Sequence, residues 1–300
     1  MHEVRVTAPK GMGADVARIA LAAGVPSVSV YDVYTHGPNE TKEIVSAEVA
    51  TPVATKFIDA LVNSPQYDPE RMAVTERTLL AILEHGHRDE ITQPMIWSPA
   101  AVFETLWQNS HITPAFLARC IIAPAILAYG MLHSSVILIV IALLFTQFLQ
   151  PILAVSFGFW AGDGKLVRQG ALAFMLSTIA AVAAAALVGL LAGGPIVFND
   201  FKPVLVSLLI SSGIGVVAGT SSADDVGRNY LVAVAAAAQY AIYPTWFGLS
   251  IVIGLPDVQT IWTRAGTFLL NVVSISTVAL ITYILLGMRR SDLQRYLGKK

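Results

Sequence analysis

The sequence predicts a chain in two parts, an N-terminal α+β domain in water followed by an α-helical polytopic membrane region of about six transmembrane helices. Three observations carry that expectation. Of the 300 residues, 55% are apolar and 13% charged, where an ordinary soluble domain carries roughly 25% charged residues. Mean hydropathy is +0.65. The charge is also uneven: residues 1–113 hold 8 of the 19 Lys+Arg and 14 of the 20 Asp+Glu, whereas no charged residue occurs between Arg119 and Asp163. The expected divisions are 1–90 for the soluble domain, 91–113 for a linker, 114–288 for the membrane domain and 289–300 for a tail with five basic residues.

Within the soluble part, EVRVTAP (3–9) alternates apolar and polar residues and is rich in β-formers, so it reads as a strand. KGMGADVARIALAAGV (10–25) has an apolar stripe at Val16, Ile19, Ala20 and Ala23, the period of a helix. Residues 25–37 and 41–50 alternate again and are separated by the turn HGPNE. TPVATKFIDALVNSP (51–65) is a second helix, with Thr51 expected as N-cap and Pro52 at the first helical position. RMAVTERTLLAIL (71–83) closes the series as a fourth strand. The order βαββαβ is the split-βαβ, ferredoxin-like arrangement, of the kind that ACT-like regulatory or dimerising modules use.

The PKGMG turn offers Lys10 and the backbone N–H groups of Gly11 and Gly13 to an anion, or is simply a tight turn that needs glycine. His85 and His87 stand in a charged linker without a further ligand, so solvated histidines are expected and no metal site. SPAAVFETLWQNSHI (98–112) has a cap at Ser98 and an apolar face at Val102, Phe103, Leu106 and Trp107, which suits a helix along the membrane surface.

A span needs about 20 apolar residues, and six segments qualify: 114–132, 136–161, 171–193, 204–221, 230–253 and 267–288. With the N-terminus inside, Lys165, Arg168, Arg228 and the basic tail fall on the cytoplasmic side, and only Lys202 and Arg264 fall outside. The positive-inside rule then places both termini in the cytoplasm and the protein in the cell (inner) membrane. Arg119, six residues into the first span, is expected to snorkel to phosphates. MHEVRVTAPKG has no continuous apolar core, so a cleavable signal peptide is not expected.

TQFLQPILAVSFGFW (146–160) places two glutamines and a proline where a spanning chain should avoid them. A second stretch resembles it. Gln147, Pro151, Asp163, Arg168 and Gly170 find counterparts in Gln239, Pro244, Asp257, Arg264 and Gly266, at offsets of 92 to 96 residues. An inverted 3+3 repeat follows, and helices interrupted at matching places are a transporter signature. Gln147, Gln150, Pro151, Gln239, Tyr243 and Pro244 are the expected pathway residues. Ser211, Ser212 and Gly213, in a segment with Gly215 and Gly219, join them, as does Asn271. Ordinary proline kinks and glutamines bonding between helices are the other reading of the same residues.

Several classes are excluded or disfavoured. A single cysteine, Cys120, rules out an intrachain disulfide and a multi-cysteine metal site, and a net charge of −1 suggests no nucleic-acid partner. No Walker motif, nucleophile–base pair or mid-membrane carboxylate is present, so neither an enzyme, a bound cofactor nor a carboxylate proton relay is expected.

SSVILIVIALLFTQFLQPILAVSFGFWAGDGKLVRQG, SSGIGVVAG, LVAVAAAAQYAIYPTWFGLSIVIG and FLLNVVSI together resemble a bacterial family of hydrophobic membrane proteins, domain of unknown function 389, over roughly residues 135–288. The resemblance implies an integral membrane protein, often with a soluble N-terminal domain. The expectation is a transporter or channel-like protein for a small molecule or ion, forming a homo-oligomer in the lipid bilayer. The alternative is a membrane-anchored metabolite sensor or scaffold; an enzyme acting on lipid is a distant third.

Overall fold

The computed structural model describes residues 2–36, 40–78, 97–146, 148–224, 227, 234 and 240–297. Within it the chain divides into two compact units. One comprises Met1–Val102, Ala223–Asp225 and Met288–Lys300, and the other Phe103–Ser222 and Val226–Gly287.

In the first unit, β1 (His2–Pro9), β2 (Ser29–Thr35), β3 (Glu40–Val49) and β4 (Ala73–Thr78) form one sheet in the order β2-β3-β1-β4. Every neighbouring pair is antiparallel, with Val4 opposite Ala47 and Val6 opposite Val45. Alternation puts Val4, Val6 and Ala8 on one face beside Val45, Ala47 and Val49. That face is covered by α1 (Gly13–Ala22) through Val16 and Ala20, and by α2 (Thr51–Val62) through Ala54, Phe57, Ile58 and Leu61. The N-cap of α2 is Ala50 and not Thr51. β3 ends at Val49 and Ala50 holds the extended cap conformation, so Thr51 is already helical and Pro52 is the second residue. α11 (Arg290–Tyr296) packs against α2, with Leu293 fully buried. His85 and His87 lie outside the described residues.

α3 (Pro99–Asn109) is capped by Ser98, whose Oγ accepts from the Ala101 N–H at 3.3 Å. Val102, Phe103 and Leu106 are buried in protein rather than turned outward to headgroups. The Trp107 carbonyl accepts from Gln169 Nε2 at 2.8 Å, and the same nitrogen reaches His111 Nδ1.

Among the described residues, five helical stretches are long and apolar enough to cross a membrane. They are α4 (Pro114–Leu132), the run Val136–Ala161, α7 (Gly164–Ala192), α8 (Val204–Ala223) and α10 (Val258–Leu285). Val136–Ala161 is two helices, α5 (Val136–Phe145) and α6 (Leu149–Ala161). Most of the expected span 230–253 lies outside the described residues; its described part is α9 (Ile242–Ile253), 12 residues long.

Small residues set this packing. Gly170, Ala173, Ser177, Ala181, Ala184, Ala185 and Gly189 make one buried stripe along α7, and α4, α6 and α9 pack against that helix. A Cβ on Gly248 of α9 would strike the Val182 carbonyl oxygen of α7. α8 and α10 lie side by side in one direction: Ser207 meets Asn271, Ser212 meets Ser274, Gly219 meets Thr282 and Ser222 meets Tyr283. Both numbers of each pair rise together, so the two helices are parallel. Arg119 is exposed and folds back to donate to the Ala115 carbonyl at 3.1 Å.

Candidate functional site

Two helices of the membrane unit begin in the same way. α5 ends at Phe145, Thr146 takes an extended conformation (φ −75°, ψ 143°), and α6 starts at Leu149 with Pro151 as its third residue. α9 starts at Ile242 with Pro244 as its third residue. First-turn N–H groups have no intrahelical acceptor, so a proline there sacrifices no bond. At the break the Leu143 carbonyl accepts from Thr146 twice, from Oγ1 at 2.8 Å and from the backbone N–H at 3.3 Å.

The two helices also end alike. Each stops at a glycine of positive φ, Gly162 (71°) or Gly254 (150°), and an aspartate then caps a long helix. Asp163 Oδ1 accepts from the Leu166 N–H at 2.8 Å and Asp257 Oδ2 from the Thr260 N–H at 2.9 Å. Eleven residues beyond each capping aspartate stands a phenylalanine, Phe174 in α7 and Phe268 in α10. Their rings stack at 6.0 Å, 15° from parallel. Phe148, just before α6, meets Phe174 edge-on at 6.4 Å, and Tyr240, just before α9, meets Phe268 edge-on at 6.4 Å. Four rings thus join the starts of α6 and α9.

The expected pathway residues fall around this chain of rings unequally. Gln147 and Gln239 lie outside the described residues. Gln150 is half-buried in the first turn of α6, and Pro151 is buried. Buried Ser211 hydrogen-bonds the Tyr240 hydroxyl, which also donates to the Asn271 carbonyl at 3.1 Å. Asn271 Nδ2 donates to Ser207 Oγ at 2.7 Å, and its Oδ1 has no partner among the described residues. The Tyr243 ring packs on Phe268 and on Phe201. Ser211, Tyr243 and Asn271 therefore gather about Tyr240 and Phe268, and Phe148, three residues before Pro151, joins Phe268 through Phe174. Ser212 bonds Ser274 at 3.0 Å instead, and Gly213 faces open space.

In the first unit the PKGMG turn already holds an anion of the chain's own. Glu43 accepts from the Gly11 N–H at 2.9 Å through Oε1 and from the Gly13 N–H through Oε2. Lys10 lies 3.8 Å from Asp32, both largely exposed. The Gly11 and Gly13 amides hold the Glu43 carboxyl below its usual range, with a smaller contribution from Lys10.

Sequence reasoning missed a cavity of about 500 Å³ beside the start of α10, lined by Phe201, Lys202, Tyr243, Asp257, Gln259 and Arg264 among others. That volume lies in the range of small-molecule sites. Its wall includes the extended segment before α8, whose Phe198 N–H donates to the Met131 carbonyl at 3.1 Å. The Arg264 guanidinium sits 3.9 Å from the Phe201 ring and 3.8 Å from the Trp246 ring, and Nη2 donates to Asn199 Oδ1 at 3.2 Å.

The position as far beyond the aspartate that caps α7 as Arg264 is beyond Asp257 is closely packed. Counted from the capping aspartates, Arg264 occupies the place of Gly170 rather than that of Arg168, because the register set by Asp163 and Asp257 needs no gap. A Cβ on Gly170 would lie 2.8 Å from the Pro151 carbonyl oxygen, so α6 rests on α7 there. α9 packs chiefly on α7 and only slightly on α10. The available signal was the lone cation of TRAG, uncharged on either side from Val258 to Gly287.

Residues 140–277 match the family model described as domain of unknown function (DUF389), the family that the sequence resembles. The matched segment holds every expected pathway residue and the whole cavity lining. No curated protein and no solved structure matches the chain.

Proposed function

We propose that this is a membrane transport protein, a transporter or channel-like protein for a small solute, with a soluble domain that regulates it or holds copies together. The observation that carries the reading is the pair of helix starts at Leu149 and Ile242, joined through Phe148, Phe174, Phe268 and Tyr240. Non-helical backbone inside an apolar segment is tolerated where it is buried in protein or lines a cavity, and paired interrupted helices are how many transporters build a midplane site.

Two features support six spans. α8 and α10 are parallel, which favours a return crossing between them, and the apolar helix α9 lies in that stretch of sequence. Met1–Val102 and Met288–Lys300 belong to one compact unit, which favours an even number of crossings. Two sets of three helices would enter from opposite sides, giving an inverted repeat. Reciprocal packing supports it, since α6 packs on α10 and α9 on α7. The sheet order β2-β3-β1-β4 suits a ferredoxin-like, ACT-like domain. Val30, Tyr31 and Tyr34, exposed along edge strand β2, suit pairing with a second copy. The spread of Lys and Arg over the loops and the tail favours termini in the cytoplasm and spans in the inner membrane.

Single cysteines at Gln147, Gln150, Gln239 and Tyr243, in a Cys120→Ser background, test the reading with membrane-impermeant thiol reagents applied from each side. Labelling at these positions is expected. Uniform protection in a folded protein, with ligand binding confined to the soluble unit, would overturn transport in favour of a membrane-anchored sensor.

A further inference from the structure

We infer that the cavity beside the start of α10 is a binding site for a small monoanionic carboxylate, with Arg264 as its anchor and Lys202 as a second cation. This names a substrate class for the transport reading and rests on that reading only for what the bound anion is for. The charges facing the cavity are two cations, Lys202 and Arg264, and one carboxylate, Asp257. Asp257 is committed elsewhere: Oδ2 accepts the Thr260 N–H at 2.9 Å and Oδ1 the Thr260 hydroxyl at 2.7 Å, so it serves the N-terminus of α10. Lys202 is paired with Asp200 across two residues of exposed chain, a pair of little strength in water. The balance left is one positive charge.

Its carrier is fixed in direction. The Phe201 and Trp246 rings at 3.9 and 3.8 Å hold the guanidinium plane, which leaves its edge as the face for ligands. Among the described residues that edge has one acceptor, Asn199 Oδ1 at 3.2 Å. A planar fork of N–H donors held by stacking matches a carboxylate, which accepts two parallel bonds. The threonines nearby do not compete as donors, because Thr263 Oγ1 donates to the Gln259 carbonyl and Thr267 Oγ1 to the Thr263 carbonyl. The same rings would attract a quaternary ammonium, but Arg264 already occupies them.

The test is calorimetric titration of the full-length protein in nanodiscs with acetate, benzoate, inorganic phosphate and choline. Acetate or benzoate is expected to bind saturably, and Arg264→Gln to weaken it by about tenfold or more, from the loss of hydrogen bonds to a charged group. Arg264→Lys keeps the charge without the fork and is expected to recover only part of the affinity. Lys202→Gln, at an exposed position that does not bear on folding, is expected to weaken binding severalfold even if the Arg264 variants do not fold. Saturable choline binding, phosphate binding tighter than either carboxylate, or carboxylate binding indifferent to both cations would overturn the assignment. Flux in proteoliposomes separates the two readings. Carboxylate binding without any flux would remove transport and leave the site, whereas flux unaltered by these variants would remove the site and leave transport.

Discussion

Phe174 and Phe268 stack on each other at 6.0 Å, and each stands eleven residues beyond the aspartate that caps its helix. Offset or parallel stacking of two rings contributes about 0.5–1.5 kcal/mol beyond the area it buries. In a double-mutant cycle, Phe174→Ala and Phe268→Ala are therefore expected to be less than additive, with a coupling of about 1 kcal/mol. Denaturant unfolding in micelles measures it. Strict additivity would mean that the rings are neighbours without being partners.

Glycine spacing gives a graded prediction. Gly248 faces the Val182 carbonyl of α7 and Gly170 the Pro151 carbonyl of α6, whereas Gly213 has no neighbour within 4 Å. Valine at position 248 or 170 is expected to lower stability by about 1–3 kcal/mol or more through overpacking. Gly213→Val is expected to be tolerated. Thermal unfolding of the three variants, compared at equal detergent, checks the order, and a Gly213 variant as unstable as the others would contradict it.

Asp163 is buried at the head of α7 and accepts the Leu166 N–H at 2.8 Å. Asp163→Ala is expected to cost about 1 kcal/mol, the usual loss on removing an N-cap. Asp163→Asn, which keeps an acceptor, should recover most of it. Equal losses for the two substitutions, measured by unfolding, would show that the charge and not the cap is what matters.

Glu43 makes the loop between β1 and α1 sensitive to acid. Its folded carboxyl titrates below the ordinary value of 4.5, chiefly because Gly11 and then Gly13 donate to the charged form. A depressed carboxyl stabilises the fold fully above that ordinary value, and the contribution is lost as pH falls through the lower folded value. Amide protection of Gly11 and Gly13 is expected to hold at neutral pH and to fall in acid below the ordinary value of 4.5 in the native chain. In Glu43→Ala it should already be low at neutral pH. Protection that ignores both pH and the substitution would exclude the carboxylate as the cause.

Much of this was legible in the sequence, for a physical reason that also marks where reading stopped. Strand alternation at Val4, Val6 and Ala8 and the apolar stripe at Val16 and Ala20 report burial directly, so β1 to β4, α1 and α2 fall close to where periodicity puts them, whereas α11 lies in what reads as a basic tail. Composition likewise reveals apolar helices such as Gly164–Ala192. It could not reveal that Gly215 and Gly219 meet α10 while Gly213 does not, since all three share one small-residue run and only the neighbour's position separates them. The cap of α2 slipped by one residue because Thr51 is a good capping residue that the end of β3 places one step too late. The cavity was hidden for a related reason. Arg264 and Arg168 look equivalent in an alignment that allows gaps, and only the helix register set by two aspartates pairs Arg264 with a glycine.

The docking of α11 on α2 has a consequence in time. Val62 leaves the ribosome long before Arg290 does, so the α2 face that receives Leu293 must wait while every membrane helix is made. At ordinary rates of synthesis that delay is on the order of 10 to 45 seconds. This unit is thus begun before the membrane helices and completed after them, and a chain that stalls before Leu293 leaves that face of α2 uncovered.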